Sequence, residues 1–223
     1  MYNFQYPQGT NDLIFNPSPR CACMLVLDNS GSMDGAPIQE LNAGLQTFVS
    51  ALQEDEVAAL SVEVGIVTAG SAAIELMPFT VVANLPSMPQ LSASGETPLG
   101  AAVEKALHKL EQRKIEYQQN GVAYYQPWLV IISDGSPTDS WKAAAAKAQQ
   151  MSAERKLVSL PLGVSGADFG CLSQFSSKPA KSIAGLKFRE FFKWLSASMS
   201  RVSASNSTSS QVSLPPTSSW DTI

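Results

Sequence analysis

Apolar positions along this chain switch between two spacings, and the switches outline a succession of strands and helices. Residues 21–27 are continuously apolar, the pattern of a strand covered on both faces. Pro37 suits the first turn of a helix, and Ile38, Leu41, Leu45, Phe48, Val49 and Leu52 then recur at helical spacing. A second strand is predicted over 62–68 and a third over 74–82. Only a short turn at Gly70-Ser71 separates the two. So short a link allows an antiparallel hairpin but no helical crossover, which makes the third strand an expected antiparallel edge. A loop over 84–96 leads to a helix starting at Pro98, with Leu99, Ala102, Val103, Ala106, Leu107 and Leu110 on one stripe.

The second half repeats the alternation. A fourth strand is predicted over 128–133, and a helix follows through the alanines 143–146 to about residue 154. A fifth strand, over 157–164, contains Pro161, which asks for an edge position or a bulge. A short helix over 168–175, a weak strand near 182–186 and a last helix over 188–200 complete the series. In that helix Phe188, Phe191, Phe192, Leu195 and Met199 face inward. Strands alternating with helices imply a three-layer, doubly wound α/β fold with an open sheet and helices on both faces. Ligands in such folds bind beyond the carboxyl ends of the strands, where the strand order switches.

Composition sets limits on this picture. At 223 residues and 44% hydrophobic, the chain can bury one sizeable core. Residues 1–20 read as an irregular arm, 21–202 as the domain and 203–223 as a Ser/Thr-rich flexible tail. Trp220 is the exception in that tail, able to dock back on the domain or on a partner. A net charge of −4 gives no basic footprint for nucleic acid. No apolar run approaches the ~20 residues of a membrane span. The polar start lacks a secretory pattern, so a cytoplasmic location is expected. Cys21, Cys23 and Cys171, with His108 as the single histidine, do not make a zinc site and are expected to be buried free thiols. His108 falls off the apolar stripe of its helix and is expected at the surface.

The candidate chemistry lies at element ends. Asp28, Ser30 and Ser32 follow the first strand at every second position, and Gly31 lets the backbone curl. A carboxylate and two hydroxyls are hard oxygen donors, suited to Mg²⁺ rather than to zinc or copper. The alternative is a plain turn into a helix. Thr97 sits at the start of the helix that Pro98 opens, and could equally be only its cap. Asp134-Gly135 ends the fourth strand, and could equally be only a turn.

Asp28-x-Ser30-x-Ser32, followed by Thr97 and by Asp134-Gly135, resembles the metal-ion-dependent adhesion site of von Willebrand factor A (VWA) domains. Further stretches resemble the bacterial stand-alone branch found with tellurium-resistance genes (TerY-like). These are Leu41-Asn42-x-Gly44-Leu45, Tyr124-Tyr125-x-Pro127-Trp128, Asp134-Gly135-x-Pro137-Thr138-Asp139-x-Trp141 and Phe192-Lys193-Trp194-Leu195-Ser196. The resemblance implies a VWA/Rossmann-like sheet in the order 3-2-1-4-5-6 with an antiparallel edge. It implies that Ser30 and Ser32 bind a metal directly, that Thr97 does so when the site is engaged, and that Asp28 and Asp134 act mainly through water. Asn29 stands where that branch often has Thr and is expected to point away from the site. Glu96 is expected to face solvent.

Such a site implies a protein-interaction module. Hydroxyls leave Mg²⁺ poorly neutralised, and an Asp or Glu of a partner can complete its shell. Mn²⁺ or Ca²⁺ accept the same oxygens. Related bacterial systems place such domains beside a Ser/Thr kinase and a metal-dependent phosphatase in stress and tellurium resistance, which would make the tail a phosphorylation target. The alternative is a Mg²⁺-dependent phosphohydrolase using Asp28. That chemistry resembles Asp-x-Asp, and Ser30 occupies the place of the second acid. A Ser30 or Ser32 nucleophile would need a base, and His108 is the one histidine.

Overall fold

The structure is a computed structural model that describes residues 13, 15–134, 137–164, 166–183, 185, 187–205, 207–209 and 211–221. Its six strands are β1 (Cys21–Asp28), β2 (Val62–Ala69), β3 (Ala73–Val81), β4 (Trp128–Ser133), β5 (Val158–Gly163) and β6 (Lys181–Ser182). They form one sheet in the order β3-β2-β1-β4-β5-β6. β3 runs antiparallel to β2 and every other pairing is parallel. The order and the antiparallel edge agree with the sequence expectation.

Strands β1, β2 and β4 are buried along their whole length, so alternate residues feed two cores. Cys21, Cys23, Leu25 and Leu27 face one layer, built on helices α1 (Ala36–Gln53), α2 (Glu56–Ser61) and α6 (Phe188–Ser203). Ala22, Met24 and Val26 face the other, built on α3 (Leu99–Gln119) and α4 (Lys142–Ala153). The short α5 (Phe169–Leu172) continues into a 3₁₀ turn at Ser173–Phe175. All three cysteines are free and buried, as expected. His108 is exposed on α3.

Pro161 meets its constraint through the edge. Val158 N donates to Pro127 O and Val164 N to Ser133 O, so even-numbered amides of β5 face β4. Position 161 therefore faces the outer side, where β6 pairs only with Leu162 and Gly163. Helix α2 was not foreseen. Six residues are too few to show a period, but Asp55 caps it by accepting from Val57 N at 3.1 Å and Ala58 N at 3.0 Å.

The amino end of the sheet holds a buried charge network. Glu63 is fully buried in β2 and accepts from Arg113 Nε at 2.6 Å, Arg113 Nη2 at 2.9 Å and the Tyr117 hydroxyl at 2.6 Å. Burial first, and then the charge of Glu63, push the Tyr117 phenol well above its ordinary range. Arg20 joins from the arm, with Nε 3.7 Å from Glu63. Residues 1–12 and 14 of the arm lie outside the described residues.

Trp220, set apart in the sequence as the exception in the Ser/Thr-rich tail, docks back on the domain. Trp220 is fully buried, its ring edge-on to Phe191 at 5.0 Å and to Trp194 at 5.3 Å between centroids. Trp194 Nε1 donates to Pro215 O at 2.8 Å, and Arg201 Nη1 to Ser213 O at 3.2 Å. Asp221 bridges antiparallel to Ile183 and takes the Lys181 ammonium. One large aromatic side chain supplies apolar surface that the Ser/Thr composition lacks.

Candidate metal centre

β1 stops where its last residue turns polar. Asp28 is fully buried at the carboxyl edge of the sheet. Its Oδ1 accepts from Ser30 N at 2.9 Å, the tight turn an Asp favours. Its Oδ2 accepts from Ser133 Oγ at 2.6 Å, which ties β1 to the end of β4. A 3₁₀ turn, Gly31–Met33, then sends Met33 into the core and leaves Ser32 at the surface.

The hydroxyls line up. Ser30 Oγ lies 3.0 Å from Ser32 Oγ, and Ser32 Oγ donates to Asp134 Oδ1 at 2.9 Å. A hydroxyl has one proton, so Ser32 accepts from Ser30. Hydrogen bonds therefore link Ser30, Ser32 and Asp134 side by side, and Asp28 joins them through the Ser30 amide, so four of the five sequence-predicted residues are connected. Gly135 lies outside the described residues.

Thr97 reaches the same edge by a different route. It is 5% exposed on the long loop before α3, and its hydroxyl takes no part in the hydroxyl run among the described residues. The loop is fastened on two sides. Gly31 N donates to Gly95 O at 3.0 Å, Asn29 Nδ2 to Ser92 O at 2.9 Å, and Ser94 N to Asn29 O at 2.7 Å. Asn29 thus points away from the hydroxyl run, and Glu96 is exposed, both as expected. Gly95 has φ of +77°, and a Cβ there would lie 2.5 Å from Ser71 Cα, so glycine alone fits. Behind the loop, Asn42 exchanges two bonds with Leu91, donating at 2.9 Å and accepting at 2.8 Å. Gln46 donates to Met88 O at 3.0 Å.

Three groups carry weight here that the sequence reading left without a role. They are Ser133, which holds Asp28, and Thr138 and Asp139, which hold the Thr97 segment. Thr97 N donates to Thr138 Oγ1 at 3.2 Å and Thr138 N to Thr97 O at 3.0 Å. Asp139 Oδ1 accepts from Gly100 N at 3.0 Å and its Oδ2 from Ala101 N at 2.8 Å. The signal in the sequence was the polar run after Asp134, read there only as a mark of the branch.

The site is rich in oxygen and poor in charge. Among the described residues no three His, Cys, Asp or Glu side chains gather as a ligand cluster. The donors at the edge are hydroxyls with Asp28 and Asp134 as the acids. Burial raises the Asp134 carboxyl above its ordinary value; the Ser32 bond opposes this and the charge of Asp28 adds to it. A cation held among these oxygens would remove that conflict. The donor set fits a hard divalent ion. The Ser30 and Ser32 hydroxyls bond each other, and Ser32 bonds the Asp134 carboxylate.

The sequence matches the von Willebrand factor type A domain over residues 23–198, and the chain belongs to that family. No curated protein matches it. Among solved structures it is similar to proximal thread matrix protein 1 from the mussel byssus, at 15% identity and TM-score 0.57, covering 82% of this chain and 49% of that one. One structure of that mussel protein has a zinc-occupied MIDAS motif. The ArnB paralog VWA2 from Sulfolobus acidocaldarius is similar at 14% identity and TM-score 0.57, covering 81% of this chain and 45% of that one. The open conformation of the pilus adhesin SpaC from Lactobacillus rhamnosus GG is similar at 13% identity and TM-score 0.65, covering 82% and 30%. The chain spans about half or less of these proteins, and the likeness is one of fold. VWA domains generally mediate metal-dependent protein–protein interactions and are typically not enzymes. Among the described residues no helix is long and apolar enough to cross a membrane.

Proposed function

We propose that this chain is a protein-interaction module that binds an acidic side chain of a partner through a divalent ion. Ser30 and Ser32 hold the ion directly, Thr97 joins when a partner engages, and Asp28 and Asp134 act through water. The observation that carries this reading is the hydrogen-bonded run Ser30–Ser32–Asp134 joined to the buried Asp28 through the Ser30 amide. Hydroxyl donors leave much of the ion's charge unneutralised, and a carboxylate from outside fills that need in a partly dry site. Mg²⁺ is the proposed occupant, with Mn²⁺ and Ca²⁺ able to replace it.

Residues 21–202 form the proposed VWA domain, flanked by the arm at 1–20 and the tail at 203–223. The motifs around Asn42, Tyr124, Pro137 and Trp194 favour the TerY-like branch and, with it, a bacterial stress or tellurium-resistance setting with a kinase and a phosphatase as partners. The free, buried thiols favour a cytoplasmic site of action, since two of them, Cys21 and Cys23, would otherwise line one strand in an oxidising compartment.

The test is calorimetric titration of Mg²⁺ and Mn²⁺ into the full chain, followed by partner capture with and without EDTA. Asp134→Ala is expected to abolish partner binding, and wild-type binding is expected to need the metal. Partner binding undiminished in EDTA sinks the metal bridge.

A further inference from the structure

Thr97 and Asp134 lie on different loops, and no hydrogen bond joins their side chains among the described residues. What joins their segments is the stretch just past Asp134. We propose that Thr138 and Asp139 are positioning residues of the metal centre, which fix Thr97 relative to Asp134 without touching the ion. The inference rests on the metal-binding reading above.

The geometry has three parts. Thr138 grips Thr97 by its backbone from both sides, through the 3.2 Å bond to its hydroxyl and the 3.0 Å bond from its amide. Asp139 directs both carboxylate oxygens at the first-turn amides of α3, at 3.0 and 2.8 Å, so it serves the helix start rather than the hydroxyl run. Pro98, at the cap position of α3, makes no side-chain capping bond, so the cap comes from a residue far along the chain. Trp141 completes the contact. Its Cα would lie 2.5 Å from a Cβ at position 100, so Gly100 is what lets the two segments meet.

A local cap would stabilise α3 equally well. Asp55 shows this at α2, where it bonds the amides of Val57 and Ala58 within its own turn. Drawing the cap of α3 from the β4–α4 loop instead ties the Thr97 segment to residues 138–139, a few positions past Asp134. Metal ligands must be placed to a few tenths of an ångström, and groups behind them set that placement.

The experiment compares full-length wild type with Asp139→Ala, Thr138→Val, Thr138→Ser and Asp55→Ala. Each is titrated with Mn²⁺ by calorimetry, and each is unfolded thermally without metal. Asp139→Ala and Asp55→Ala each lose a helix cap and are expected to lower the metal-free midpoint alike. Only Asp139→Ala is expected to lose metal affinity, by about tenfold or more, because releasing the segment that follows Asp134 displaces that carboxylate as well as Thr97. Thr138→Val is expected to weaken binding and Thr138→Ser to restore it. Should Asp139→Ala not fold, the Thr138 pair carries the comparison. Equal Mn²⁺ affinity in Asp139→Ala and Asp55→Ala, or in Thr138→Val and Thr138→Ser, overturns the positioning role. Wild type that binds no Mn²⁺ removes the metal reading, and this inference with it, before any variant is compared.

Discussion

Ser32 and Thr97 divide the work of the site between them. Ser32 is exposed and its one proton goes to Asp134, so its oxygen is already aimed into the run. Ser32→Ala is expected to weaken metal binding while changing stability by less than ~1 kcal/mol, because a surface hydroxyl carries little core energy. Thr97 is buried and held by its backbone, with its hydroxyl outside the run. Thr97→Ala is therefore expected to cost partner affinity more than metal affinity. Paired titrations of metal and partner check both variants, and equal losses in the Thr97 variant would rule out a role confined to the engaged state.

At the scale of elements, what the sequence disclosed was whatever repeats locally. β1 and β4 read as strands because both faces are buried, and α1 and α6 because one stripe is. Asp28, Ser30 and Ser32 stood out for a related reason, as a spacing at the end of one strand, while Thr97 and Asp134 joined them only through the family resemblance. What stayed hidden depends on partners far along the chain. Ser133 holds Asp28 across 105 positions and Asn42 holds Leu91 across 49. Glu63 is the one acid in the apolar β2, and its partners Arg113 and Tyr117 come from α3, some 50 positions on. Asn42 allows a test at this scale, because it replaces a strand partner for the long loop. Asn42→Ala leaves the buried amide and carbonyl of Leu91 without partners, at ~1–3 kcal/mol for each group. Amide exchange should rise across 85–97, and partner affinity should fall as Thr97 loses its support. Unchanged exchange there would show that Gln46 and the bonds to Asn29 hold the loop without it.

The molecule as a whole closes with its last described residues. Trp220 fills the space between Phe191 and Trp194, and Asp221 extends the sheet beyond β6, so the carboxyl segment covers an edge and part of a core at once. Burying so large a ring outweighs the entropy of ordering a Ser-rich segment only while the aromatic contacts last. Removing a buried Trp side chain costs ~3–5 kcal/mol, a large share of the ~5–15 kcal/mol that holds a typical domain. Trp220→Ala should thus lower the metal-free midpoint by about 10 °C, given ~2–4 °C per kcal/mol at this size. Trp220→Phe should lower it much less. The Trp220 Nε1 is buried without a hydrogen-bond partner among the described residues, and phenylalanine removes that orphan donor while keeping an aromatic ring in place. Thermal unfolding of both variants, beside a chain ending at Ser205, decides the matter. Three midpoints equal to wild type would mean that the segment rides on the domain without stabilising it.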